Sequence, residues 1–316
     1  MSSGLKTNQL PATEVTRDAA VRPEAPRTLS GRLHALKATV AFALSNGASL
    51  GERFRLAYYA GFKPALAFRG LTAYSSQKIL TFKIRVGQRG RFTVHTRDWG
   101  DDIGTVVEFF SGIRRIIPLE LPRVEPKVIY DIGAHIGIGS LFLASKYPNA
   151  RFYGFEPLPA NYNVCALNYE NLSGSQAFPW AISSASGTAA FRFGERDLRG
   201  GCLAGGPPPF SRALDDQVEV QVRSVQDLVE TQKLAPPDFL KIDVEGAEFE
   251  VLKGLGPLGQ GIRRIFLETH GPEVRARCLD WLKVHDFVVR CSHEDQPGCG
   301  TLWCDRELLE PPSVPS

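Results

Sequence analysis

The sequence predicts an α/β fold in which a mostly parallel sheet is covered by helices on both faces. Three observations predict it. From Val128 onward the short apolar runs VIYDIG, RFYGF, AFPWAI, DFLKID and RIFLE each lead into a stretch of helical period, and strands alternating with helices are the mark of βα units. Glycines crowd the turn after the first run, at Gly133, Gly137 and Gly139. The 316 residues are 43% hydrophobic, 22% charged and 10% aromatic, which supports a sizeable core and excludes a disordered, collagenous or coiled-coil chain.

Residues 1–29 place Pro11, Pro23 and Pro26 among scattered charges without the apolar stretch of a signal peptide. They read as a disordered tail, and a cytoplasmic location is expected. Apolar residues then recur at Leu33, Leu36, Val40 and Leu44, and again at Phe54, Leu56, Tyr59 and Phe62, so two helices are expected. Their Arg and Lys residues read as the solvated face of helices packed on the main domain, with peripheral contact to an anionic membrane as the alternative. Alternation over Ile79–Val86 and Phe92–His95, around Gly87-Gln-Arg-Gly90, predicts a hairpin. Polar Asp98–Asp102 precedes a short helix over Ile103–Phe110. The division expected is therefore a tail (1–29), a basic accessory segment (30–100), a main domain (101–306) and a C-terminal tail (307–316).

A net charge of +3 hides an asymmetry: 19 Lys/Arg against 10 Asp/Glu up to Pro126, then 18 against 24. No run approaches the ~18 apolar residues that span a bilayer; the best, Ala38–Leu50, is broken by Ser45, Asn46 and Gly47. The six cysteines are expected to be reduced thiols. Cys291, Cys299 and Cys304 with His293 could offer a zinc site, but their separations match no paired Cys-x-x-Cys pattern and the region reads as strand-turn-strand. Residues Arg196–Arg212, rich in Gly, Pro and Arg, read as a lid or substrate collar in which Arg196, Arg199 and Arg212 could meet an acceptor.

Ligands of open α/β sheets sit at the carboxyl ends of the strands. The first strand ends in Asp131-Ile-Gly133-Ala-His135-Ile-Gly137, where glycines admit a ligand close to the backbone and a new helix offers unpaired N–H groups. The second ends in Glu156, 25 positions on, placed to accept hydrogen bonds from ribose hydroxyls. Together they imply a nucleoside ligand. A dehydrogenase fingerprint would read G-x-G-x-x-G, whereas this turn reads G-x-x-x-G-x-G behind an acid. A carboxylate there suits the cationic end of S-adenosylmethionine and repels a pyrophosphate. A nicotinamide-dependent oxidoreductase and a non-catalytic nucleoside-binding module are the rival readings.

DIGAHIG, FEPLPANY, LKIDVEGAE and FLETH, in this order, resemble the motifs of the FkbM family of S-adenosylmethionine-dependent methyltransferases. The resemblance implies a Rossmann-like sheet of seven main strands, the last antiparallel, which here follows the helices and hairpin expected from the N-terminal pattern. It implies methyl transfer to a hydroxyl of a sugar, glycan, glycolipid or natural product. It assigns Asp131, Gly133, Ala134, His135 and Gly137 to the cofactor loop, Glu156, Pro157 and Asn161 to the ribose side, and Ala181 and Ile182 to the adenine side. His135 departs from the family, which usually has Asn there.

Methyl transfer is an in-line displacement, so positioning supplies much of the acceleration, and a hydroxyl acceptor needs a base or a metal ion. Strand alternation puts Leu240 and Ile242 on one face and Lys241 and Asp243 on the other. Asp243 is the leading candidate base, His270 the second, with Lys241, Glu245 and Glu268 beside them. Asp243, Glu245, Glu268 and His270 could instead hold Mg²⁺ or Mn²⁺; the metal-free form is preferred, because Lys241 opposes a dication. Glu248 reads as a solvent-facing helix residue. No Asn/Asp-Pro-Pro-Tyr/Phe element occurs, so no nucleic-acid partner is expected.

Overall fold

The computed structural model describes residues 29–85, 90–111, 125–194, 197–204, 214 and 216–306. Both expected tails lie outside these residues, apart from Leu29, as do Arg196, Arg212 and most of the hairpin turn.

The chain opens with α1 (Leu29–Asn46) and α2 (Leu50–Ala57), a π turn over Tyr58–Phe62, and α3 (Lys63–Phe68). Ser49 caps α2, its hydroxyl accepting from Glu52 N at 3.2 Å. The second expected helix is thus continuous from Leu50 to Phe68, and its burial differs from the expected pattern. Leu56 and Ala57 are buried, while Phe54 and Phe62 are 63% and 54% exposed. The reason lies in the close approach of α1, where Leu36 and Val40 sit over Gly61, and in buried Lys63, which pairs with Asp98. These fix the inward face and turn Phe54 and Phe62 out.

The hairpin forms as β1 (Ser75–Arg85) and β2 (Arg91–Asp98), followed by α4 (Gly100–Ser111). The βα units then run β3 (Val128–Ile132), α5 (Ile138–Lys146), β4 (Arg151–Phe155), α6 (Pro159–Tyr169) and β5 (Gln176–Phe178). After β6 (Trp180–Ile182), β7 (Gly187–Gly194), β8 (Asp197–Leu203) and β9 (Asp216–Arg223) come α7 (Val225–Glu230), β10 (Phe239–Ile242) and α8 (Glu248–Lys253). The chain ends on β11 (Arg264–His270), α9 (Pro272–Val284), β12 (Phe287–Gln296) and β13 (Cys299–Arg306).

Seven strands form the main sheet in the order β12-β13-β11-β10-β3-β4-β5, with β13 alone antiparallel. One face is covered by α4, α5, α6 and the N-terminal helices, the other by α7, α8 and α9. This is the doubly covered Rossmann-like sheet that the resemblance implies. The zinc alternative falls on the β12–β13 hairpin, where Cys299 and Cys304 are buried and Cys291 is exposed.

Two expectations are corrected. AFPWAI is not one strand: Pro179, which has no N–H to donate, separates β5 in the main sheet from β6 in a second sheet of order β6-β9-β7-β8. The Arg196–Arg212 stretch is not wholly loop either, since Asp197–Leu203 pairs with β7 as β8. Glycine-rich composition concealed a strand that pairs with the one immediately before it in the chain.

Candidate active site

The parallel register of β3 and β10 sets Asp131 beside Lys241. Both side chains point away from Leu240 and Ile242, which are buried on the opposite face. Asp131 is fully buried; Lys241 Nζ lies 2.8 Å from its Oδ1 and Ser140 Oγ donates to its Oδ2 at 2.7 Å. Burial lowers the Lys241 pKa, but Asp131 and Asp243 outweigh it and the net direction is up. Lys241 also donates to the carbonyl of Gly133 at 3.1 Å. Asp131 therefore holds the glycine turn through Lys241, behind the wall rather than on it.

Gly133 and Gly137 have φ of 78° and 81°, and a Cβ at Gly133 would overlap the carbonyl of Asp243. The turn thus needs glycine where β3 and β10 end together. His135 has φ 50°, a region in which His and Asn are both enriched, so the departure from the family's Asn keeps the same backbone. Its N–H donates to Glu156 Oε2 at 2.9 Å. Glu156 Oε1 accepts from Leu158 N at 3.0 Å and from Asn161 Nδ2 at 3.3 Å. Burial pushes the Glu156 carboxyl up to about 7 against these hydrogen bonds.

Beyond β10 and β11 lies an acidic cluster around one imidazole. His270 Nδ1 meets Glu248 Oε1 at 2.7 Å. Its Nε2 faces Glu245 Oε2 at 3.7 Å and Asp243 Oδ1 at 3.9 Å, while Lys241 Nζ is 3.8 Å from Asp243 Oδ2. Burial lowers the His270 pKa, but the Glu248 bond and the charges of Glu245, Glu248 and Asp243 raise it to about 10. Asp243 and burial push Glu268 up to about 8. Asp243, Glu245 and His270 bring ligand atoms within 4.8 Å of one another, close enough for one cation to reach all three.

Gly133, Ala134, His135, Glu156, Pro157, Asn161, Ala181, Ile182, Lys241, Asp243, Glu245, Glu268 and His270 all line one cavity of about 810 Å³. Asp131 and Gly137 do not border it among the described residues. Asp101, Thr105, Glu108 and Phe109 of α4 form a further wall, with Leu198 and Leu203 of β8 opposite the strand tips. The volume falls within the roughly 300–1,000 Å³ of ligand sites.

A family model described as the methyltransferase FkbM domain matches residues 131–293, just over half of the chain. The chain belongs to the FkbM methyltransferase family. It is 31% identical over 174 residues to methyltransferase sdnD of Sordaria araneosa, covering 46% of this chain and 66% of that protein. It is 27% identical over 220 residues to the hexuronic acid methyltransferase AglP of Haloferax volcanii, covering 66% and 83%. It is 29% identical over 168 residues to the 2-O-methyltransferase NoeI of Sinorhizobium fredii, covering 50% and 68%. Membership in a methyltransferase family displaces the oxidoreductase and non-catalytic readings.

Three features of this FkbM-family site were missing from the sequence reading. Glu248 is fully buried against His270, not solvent-facing. Asn168 is fully buried too: its Oδ1 accepts from His95 N at 2.7 Å, and its Nδ2 donates to His95 O at 2.8 Å and Ile136 O at 2.7 Å. It satisfies the open edge of β2 as a neighbouring strand would and ties the hairpin to the glycine turn after β3. Arg97 makes paired bonds of 2.8 Å to Asp102 and lies 3.4 Å from His135 Nε2. No helix among the described residues is long and apolar enough to cross a membrane.

Proposed function

We propose that the chain is an S-adenosylmethionine-dependent O-methyltransferase acting on a hydroxyl of a sugar, glycan, glycolipid or natural product. One observation carries the reading: a single cavity joins the Glu156 side to the Asp243 side. The donor set at the first end fits a nucleoside, because Glu156 is buried, fixed by three N–H donors, and keeps a lone-pair site on Oε2 for a ribose hydroxyl. Bound there, the cofactor supplies an electrophilic methyl group on a cationic sulfur. The remaining work falls to this chain's residues. The glycine turn and α4 orient the reactants along the cavity, and Asp243 takes the acceptor's hydroxyl proton. His270 is assigned a positioning role, because Glu248 holds its Nδ1 and a pKa raised to about 10 keeps it cationic near neutral pH. AglP is a hexuronic acid methyltransferase and NoeI a 2-O-methyltransferase, which together support an oxygen acceptor on a sugar.

The test is transfer of a labelled methyl group to sugars and natural-product hydroxyls, with and without chelator. Label on an oxygen, unaffected by chelator, supports the metal-free form; failure to label any hydroxyl acceptor opposes the O-methylation reading. The convergence of Asp243, Glu245 and His270 favours a second reading, in which a divalent ion lowers the acceptor's pKa. Activity lost to chelator and restored by Mg²⁺ would select it.

A further inference from the structure

The methyltransferase reading does not use the outer face of the N-terminal helices. Leu50, Phe54, Tyr58 and Phe62, four residues apart along one continuous helix, are 66%, 63%, 41% and 54% exposed. Positions four apart advance by about 40° around an α-helix. The π turn, closed by Lys63 N reaching back to Tyr58 O, widens the last repeat and returns that drift, so the four side chains stay in one stripe about 18 Å long. Leu36, 37% exposed, adjoins its far end through Gly61. Single exposed apolar residues are ordinary, but a contiguous patch marks an interaction site.

Charge says what covers it. Between Leu29 and Arg97 the chain carries twelve Lys or Arg, of which Lys63 and Arg97 are buried against Asp98 and Asp102, and one acid, Glu52, which is paired with Arg55 at 3.0 Å. Exposed Lys37 follows Leu36. At the other end Ala48 N donates to the carbonyl of Lys83 at 2.9 Å, which sets exposed Lys83 and Arg85 of β1 beside the start of the stripe. An apolar, aromatic helix face rimmed by cations is the pattern of a helix lying in a lipid interface. A second copy would bring the same cationic rim against itself, a juxtaposition that disfavours pairing.

We propose that this face, Leu50, Phe54, Tyr58 and Phe62 within its basic rim, docks the protein on an anionic lipid bilayer. The inference is independent of methyl transfer, since it needs neither cofactor nor acceptor. The test is flotation of the full chain with phosphatidylcholine vesicles, with and without phosphatidylglycerol. Binding is expected to anionic vesicles and to weaken with salt. Phe54→Ser with Phe62→Ser should weaken it at least about tenfold, and Lys83→Glu with Arg85→Glu by about fivefold or more for each residue. Circular dichroism should remain that of wild type in both variants, because all four side chains are exposed. Failure of the wild type to bind anionic vesicles, equal binding to neutral ones, or variants that bind like wild type would overturn the proposal. So would a wild-type dimer in light scattering that Phe54→Ser dissociates, which would assign the face to a second copy.

Discussion

At Glu156 burial and hydrogen bonding pull in opposite directions, and burial wins, leaving the carboxyl at about 7. A folded-state pKa above the ordinary 4.5 means that the proton stabilises the ligand-free fold: this contribution is full below about 4.5 and lost as pH rises through about 7. A ribose hydroxyl donates to the ionised carboxylate, so cofactor binding runs the other way. Affinity for S-adenosylhomocysteine is expected to tighten as pH rises through about 7, and Glu156→Gln should flatten that dependence in a titration series. Asp243→Asn should lower kcat by about 10² to 10⁴ while leaving cofactor affinity essentially unchanged, as single-turnover and binding measurements would show. His270→Ala strands buried Glu248 without its cation. A loss of about 3–5 kcal/mol is expected in denaturant unfolding. Gly133, Glu156 and Asp243, which line the cavity, were legible in the sequence because each stands at a strand tip, whereas Asp131, expected to face the cofactor, lies behind the wall against Lys241. Glu248 was not, because its partner is 22 positions away and a helix pattern alone turns it outward.

Elements with a strong period were legible, and those defined by remote partners were not. The hairpin and four of the five βα runs appear where alternation and glycines put them. β8 was hidden by its glycines, and β6 by a run that seemed continuous until Pro179 divided it between two sheets. The outward turn of Phe54 and Phe62 depends on α1 packing at Gly61, a tertiary choice between two apolar faces. Asn168 belongs to this scale, since it joins α6 to the edge of β2. Asn168→Ala is expected to cost about 3 kcal/mol by leaving buried backbone groups unpaired. It should also weaken cofactor binding, because Ile136 O in the glycine turn loses its donor. Stability and affinity that both stay at wild-type values would contradict this role.

In the whole molecule, the accessory segment and the methyltransferase domain share one core. A single hydrophobic cluster takes in Phe42, Leu56, Phe82 and Val94 together with Ile103, Leu141, Phe152 and Trp303, so it crosses the expected boundary at residue 100. Unfolding is therefore expected as one cooperative transition by both fluorescence and circular dichroism; two separated transitions would restore the boundary. The charge asymmetry gains a meaning from this arrangement. Acids gather where the strand tips enclose the cavity, and bases gather on the outer layer that rests on the same core. The most direct test of the central claim, that Glu156 and the Gly133 turn form an adenosylmethionine site, is calorimetric titration of wild type and Glu156→Ala with S-adenosylhomocysteine. The structure predicts saturable binding by wild type and at least about tenfold weaker binding by the variant, the worth of one hydrogen bond to a charged group. Equal affinity in the two proteins, or no binding by wild type, would contradict it.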